Sequence, residues 1–175
     1  MSTTSQKLPS IIQYKDEEIE EYTEKVKDFR NEDMPGDQFM AFRVRLGVYG
    51  QRQPDAQMMR VKMPGGLLHS DQMDLLGEIA EKHTPLNKGH ITTRENIQYH
   101  HMTLETATQI MRMLQTVGLS TKEACGNTVR NAVACPMAGR DPQQAFDVQP
   151  YLGAFVRNFV RRDFTFHMPR KIKVA

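Results

Sequence analysis

Residues 90–118 read HITTRENIQYHHMTLETATQIMRMLQTVG, and this stretch decides the fold. Its first twelve residues alternate as an extended run. Thr103 then stands where a helix N-cap is expected. Ala107, Ile110, Met111, Leu114 and Val117 follow at the spacing of one helical face. Gly118 supplies the stop. A strand feeding directly into an amphipathic helix is half of a layered α and β domain.

Working upstream, the same unit recurs. Met58 to Met63 alternates as a short strand and ends at Pro64-Gly65-Gly66. Ser70 is expected to cap a helix running to about Lys82, with Met73, Leu76, Ile79 and Ala80 as its apolar stripe. Phe42, Val44, Leu46 and Val48, interleaved with Arg43 and Arg45, predict a further strand. Before it, Ile19, Tyr22, Val26 and Phe29 predict a helix over 16–30, and Met34-Pro35-Gly36-Asp37 breaks it. Downstream, 129–135 reads as a strand, 148–161 as a helix, and 169–174 as a closing strand. The β-α-β-α order predicts an α+β sandwich with helices on one face of a sheet.

The 175 residues suffice for one self-supporting core. The formal net charge of +2 conceals an asymmetry. Residues 1–40 hold ten acids against five bases, so the remainder carries seven net positive charges. Two cysteines, Cys125 and Cys135, are too few for a four-cysteine metal or cluster site. Neither has a base partner placed by spacing, so both read as ordinary thiols. No apolar run approaches the ~20 residues of a membrane span, and the polar N-terminus carries no secretory signal. The expected setting is therefore cytoplasmic, without a membrane partner.

The strands carry one-sided chemistry. Taken as one strand, 90–101 puts His90, Thr92, Arg94, Asn96, Gln98 and His100 on one face. Nearly every position there is a donor, and none is an acid. Arg60 and Lys62 share a face, as do Lys171 and Lys173, and Arg130 stands in a fourth run. A solvated sheet face is the plain reading of each run taken alone. Placed side by side, they would form a basic wall suited to a polyanion. Nucleic acid is disfavoured, because the donor faces carry no aromatic for base stacking. Metal binding by histidines is disfavoured too, since His100 and His101 alternate to opposite faces.

The ordered motifs resemble one family. They are Gly50-Gln-Arg-Gln, Met58-Met-Arg60-Val-Lys-Met-Pro-Gly-Gly66, Gly89-His-Ile-Thr-Thr-Arg94-Glu-Asn-Ile-Gln98-Tyr-His100, Val129-Arg130-Asn131 with Ala134-Cys-Pro-Met-Ala-Gly139, and Met168-Pro-Arg170-Lys171-Ile-Lys173. This order is similar to the N-terminal part of the sirohaem-dependent sulfite and nitrite reductases, over about 37–175. The resemblance implies a polar arm and helical extension over 1–36 and a ferredoxin-like half-domain over 37–120. The beginning of a second α/β domain, the sirohaem and [4Fe-4S] domain, would occupy 121–175.

The implied activity is six-electron reduction of sulfite to sulfide or nitrite to ammonia. By motif position, Arg60, Arg130, Lys171 and Lys173 match the bases around the reducible anion. Thr92, Arg94, Gln98, His100 and Arg170 match positions that hold the carboxylates of sirohaem. His90 stands where some relatives have arginine, and Lys171-Ile172-Lys173 leans toward the sulfite type.

The four cluster cysteines of the family belong to a C-terminal half outside these residues. On this reading the isolated chain is inactive, and its partners are that half and an electron donor, ferredoxin or an NADPH-flavoprotein. The alternative is a stand-alone tetrapyrrole- or anion-binding module without catalytic activity.

Overall fold

Lys15 opens the first helix with its backbone N–H on the Glu18 carboxylate at 3.1 Å, and Asp16, Glu17 and Glu18 fill the first turn. There they complement the helix dipole. This helix, α1 (Asp16–Arg30), buries Ile19, Tyr22 and Val26. The computed structural model describes residues 12–175. After α1 come α2 (Gly36–Arg45), β1 (Val48–Gly50), β2 (Gln57–Val61), α3 (Ser70–His83), β3 (His90–Ile91), β4 (Ile97–Met102), α4 (Leu104–Thr116) and α5 (Gln149–Phe159). The four strands form one antiparallel sheet in the order β1-β2-β4-β3. Residues Met59, Val61, Ile97, Tyr99 and Met102 join the apolar sides of α1, α3 and α4 in a single core.

Residues 42–45 are helical, not extended as their alternation predicts. A short apolar run fits both periods, and tertiary contact decides between them. Phe39 stacks on Phe29 at 4.4 Å and Phe42 on Tyr22 at 6.3 Å, so α1 captures this segment as a helix. The α3 cap also differs by one residue. His69 is the N-cap, and its backbone N–H donates to Gln72 Oε1 at 3.0 Å. At α4 the expected cap forms, with Thr103 Oγ1 accepting from the Thr106 amide at 3.1 Å.

The run 90–101 is not one strand. Glu95 takes φ +56°, and the Glu95 amide donates to Thr92 O at 3.0 Å, folding 92–96 into a tight turn between β3 and β4. Alternation therefore does not carry across it. Asn96, expected on the donor face, is buried, and its Oδ1 accepts from the Met63 amide at 3.3 Å. Farther along β4, His101 has φ +60°, and the β2–β4 register slips between Gln57 and Met59. That is a bulge: one extra residue in β4 returns Met102 to the core side already occupied by Tyr99.

Past α4 the chain doubles back over the end of β2. Lys62 bridges Ser120, and Gly47 packs under this return. A Cβ on Gly47 would stand 2.3 Å from Thr121 O, and its φ is +76°. The 129–135 and 169–174 runs, expected as strands, meet in a single parallel bridge, Val129 to Ile172. The Arg130 amide donates to Ile172 O at 2.9 Å and the Val133 amide to Val174 O at 3.2 Å. The helix expected at 148–161 is present as α5.

Candidate functional site: a cationic face built on carbonyl oxygens

Cross-strand pairing reassembles much of what single-strand alternation misassigned. His90 and Arg60 are both Cα partners of Gln98, so these three share one face, with His100 two residues on. The His90 and His100 rings lie 6.1 Å apart. In the orientation that satisfies its amide, Gln98 Oε1 accepts from Arg60 Nε at 2.8 Å.

The Arg60 and Arg130 guanidinium groups converge on one atom. Arg60 Nη1 donates to Ala124 O at 3.0 Å, and Arg130 Nη1 donates to the same oxygen. Arg130 Nε adds Gly126 O at 3.0 Å. Arg94 joins from the β3–β4 turn, its Nη2 donating to Asn131 O at 2.6 Å and to Val174 O at 2.8 Å. Its buried Nε has no hydrogen-bond partner among the described residues. Burial lowers the affinity of Arg130 for its proton, and Arg60 and Arg94 add to that effect while Cys125 opposes it.

None of these three guanidinium groups meets a carboxylate among the described residues. The contrast within the same chain is sharp. Arg30 pairs with Asp55 and Glu105, and Arg161 pairs with Glu18. A carbonyl oxygen orients a cation without neutralising it, so the face keeps its positive potential.

The closing segment contributes by register. In the parallel bridge Val129 lies beside Ile172, so Arg130 and the pair Lys171 and Lys173 belong to the opposite side. Arg170, Lys171 and Lys173 are exposed. Thr92 is partly committed to the turn, where its hydroxyl accepts from the Arg94 and Asn96 amides at 3.3 and 3.2 Å. His100 is held below the ordinary imidazole pKa by burial, with His90, His101 and Arg60 adding repulsion. It is therefore a neutral donor and acceptor near pH 7.

Two residues escaped the sequence reading. Lys62, grouped with Arg60 as a surface base, is 2% exposed, and its ammonium donates to Val129 O at 3.2 Å. Asn131 ties three segments together, its Nδ2 donating to Met63 O at 2.7 Å and to Arg94 O at 3.0 Å. Its position directly after Arg130 in a quoted motif was the available signal. A separate cleft of about 540 Å³ lies beside α5, lined by Phe155, Arg157, Phe159 and Arg162 among others.

Residues 49–117 match the model of the nitrite/sulfite reductase ferredoxin-like half domain. The strand order and flanking helices above are that match in three dimensions. The chain carries the N-terminal portion of the nitrite and sulfite reductase family. It is 30% identical over 170 residues to the assimilatory ferredoxin-dependent nitrite reductase of Haloferax mediterranei, covering 91% of this chain and 29% of that protein. Over 118 residues it is 34% identical to the ferredoxin sulfite reductase of Mycobacterium tuberculosis, covering 67% of this chain and 21% of the relative. The solved structure of the M. tuberculosis NirA protein superposes with a TM-score of 0.75 at 28% identity, over 82% of this chain and 29% of that one. The chain thus spans less than a third of the length of these relatives. No helix among the described residues is long and apolar enough to cross a membrane.

Proposed function

We propose that this chain supplies the cationic wall of a sirohaem-dependent sulfite or nitrite reductase site. The observation that carries the reading is the convergence of Arg60 and Arg130 on the Ala124 carbonyl, with Arg94 beside them and no ion pair from any of the three to a carboxylate among the described residues. The donor set fits a polycarboxylate macrocycle binding an oxyanion. It offers uncancelled guanidinium groups, a neutral imidazole and exposed ammonium groups in one region.

Arg60, Arg130, Lys171 and Lys173 hold the oxyanion and stabilise the negative charge that grows as it is reduced, until its oxygens take up protons and leave as water. Lys171 and Lys173 are the proton-bearing groups of that set, and the arginines stay charged throughout. Thr92, Arg94, Gln98, His100 and Arg170 hold cofactor carboxylates. When bound, sirohaem coupled to a [4Fe-4S] cluster supplies the electrons and the iron that ligates the substrate. The cluster thiolates come from outside these 175 residues, which contain Cys125 and Cys135 alone. Ferredoxin, named in several relatives, is the proposed electron donor.

The test is assembly of this chain with a cluster-bearing C-terminal portion of the family. The product should absorb as a sirohaem protein and reduce sulfite or nitrite with reduced methyl viologen. Arg130→Ala or Lys171→Ala should then lose turnover at least tenfold more than it loses bound sirohaem. A loaded assembly that turns over neither anion overturns the reading. Equal loss of turnover and cofactor would move these residues to cofactor retention.

A further inference from the structure

Lys62 is a buried base that the proposed reaction does not use. It follows β2 directly, two residues beyond Arg60, and its side chain runs beneath the segment that carries Arg130. Its backbone is fixed first, with the Lys62 amide donating to Ser120 O at 2.9 Å. Its ammonium then reaches Val129 O at 3.2 Å. On the other side of the same peptide the Arg130 amide donates to Ile172 O at 2.9 Å. The Val129–Arg130 peptide is thereby clamped between a buried ammonium and the segment that carries Lys171 and Lys173.

The surroundings of the ammonium are defined. Glu123 from the 120–128 return is fully buried; its Oε1 accepts from the Arg161 amide at 2.8 Å and its Oε2 has no hydrogen-bond partner among the described residues. Arg130 faces Lys62 from the clamped segment, and Arg161 faces it from the end of α5. Glu123 favours the charged ammonium, while Arg130 and Arg161 oppose it.

We propose that Lys62 is a positioning residue for Arg130: it fixes the Val129 carbonyl from inside the fold and passes its own protonation state to the neighbouring guanidinium. A lysine with one carbonyl partner and a buried carboxylate nearby is held where both forms are accessible. Burial brings its pKa down to about 8. Below that pH the ammonium grips the carbonyl and repels Arg130. Above it the grip weakens and the repulsion vanishes. Cys125, the other titrating group against Arg130, is pushed up by burial and so responds at higher pH. The importance of Arg130 to an anion rests on the function proposed above, but the coupling itself does not.

The test uses the full 175-residue chain and follows the Arg130 Nε–Hε resonance from pH 6 to 10, assigned by its loss in Arg130→Lys. The expected result is a shift with a midpoint near pH 8 in the wild type, persisting in Cys125→Ser. Lys62→Arg should abolish that midpoint while keeping Arg130 amide exchange slow. Lys62→Met should also abolish it, and should speed Arg130 amide exchange at least tenfold more than that of Ile110 in α4. Absence of a midpoint in the wild type, or its survival in Lys62→Arg, overturns the proposal. Both readings stand even where Lys62→Met does not fold. Failure of the assembled reductase to turn over would leave this result untouched, so the two ideas fail separately.

Discussion

The carboxylate of Glu18 holds the first helix to the last third of the chain, and its removal gives the most quantitative prediction. Arg161 approaches it with Nε at 2.8 Å and Nη2 at 2.7 Å, a two-pronged contact, and Lys122 Nζ adds a third at 3.1 Å. The Lys15 amide completes the set at 3.1 Å. The three side chains are 12%, 21% and 14% exposed, so solvent screens them weakly. Burial on its own would raise the Glu18 pKa. Arg161 and Lys122 outweigh it and bring the carboxyl from 4.5 down to about 2.

That depression corresponds to about 3 kcal/mol at 1.36 kcal/mol per pKa unit. Because the folded-state pKa is the lower one, the stabilisation is complete above about pH 4.5 and is lost as pH falls toward 2. Urea unfolding of the wild type should therefore lose about 3 kcal/mol from this group between pH 5 and pH 2. Glu18→Gln should be destabilised by about 2–4 kcal/mol at pH 7, with Arg161 and Lys122 left against a neutral amide. The two proteins should converge at pH 2. Parallel stability curves from pH 7 to pH 2 would refute the reasoning, because the contact would then carry no linked proton.

Gly47→Ala should cost about 3 kcal/mol or more by thermal or urea unfolding, because its Cβ meets backbone and its φ is left-handed. A loss below 1 kcal/mol would mean the 120–123 return can shift. Arg94→Met removes the links to Asn131 O and Val174 O. It should raise Val133 amide exchange at least tenfold while the α4 amides stay protected; uniform protection would show that the closing segment is held without Arg94.

The elements that residue spacing revealed are those whose period matches a single neighbour. Helix α4 shows its cap, stripe and stop within the sixteen residues from Thr103 to Gly118, and its packing against the core changes none of them. The 42–45 segment misleads because its short apolar spacing satisfies two periods, and the stacking of Phe39 on Phe29 and of Phe42 on Tyr22 in α1 selects the helix. The basic face was legible as a set of residue types but not as a geometry. His90, Gln98 and Arg60 do share a side, yet they do so across three strands and through a turn that single-strand alternation ignores. Lys62 was illegible for a simpler reason. Its burial depends on a chain return far along the sequence, at Ser120 and at Val129, 67 residues away, which no local pattern announces.

The shared acceptor for Arg60 and Arg130 is a main-chain oxygen, and that has an evolutionary consequence. Replacing the Ala124 side chain removes neither hydrogen bond, so the aim of both guanidinium groups is inherited through the path of the backbone. What guards that path is its neighbour, Gly126, whose φ is +76° and where a Cβ would meet Val44 Cγ1 at 2.9 Å. Drift in this face should therefore be tolerated at position 124 within its steric limits and resisted at position 126, although neither side chain supplies a charge.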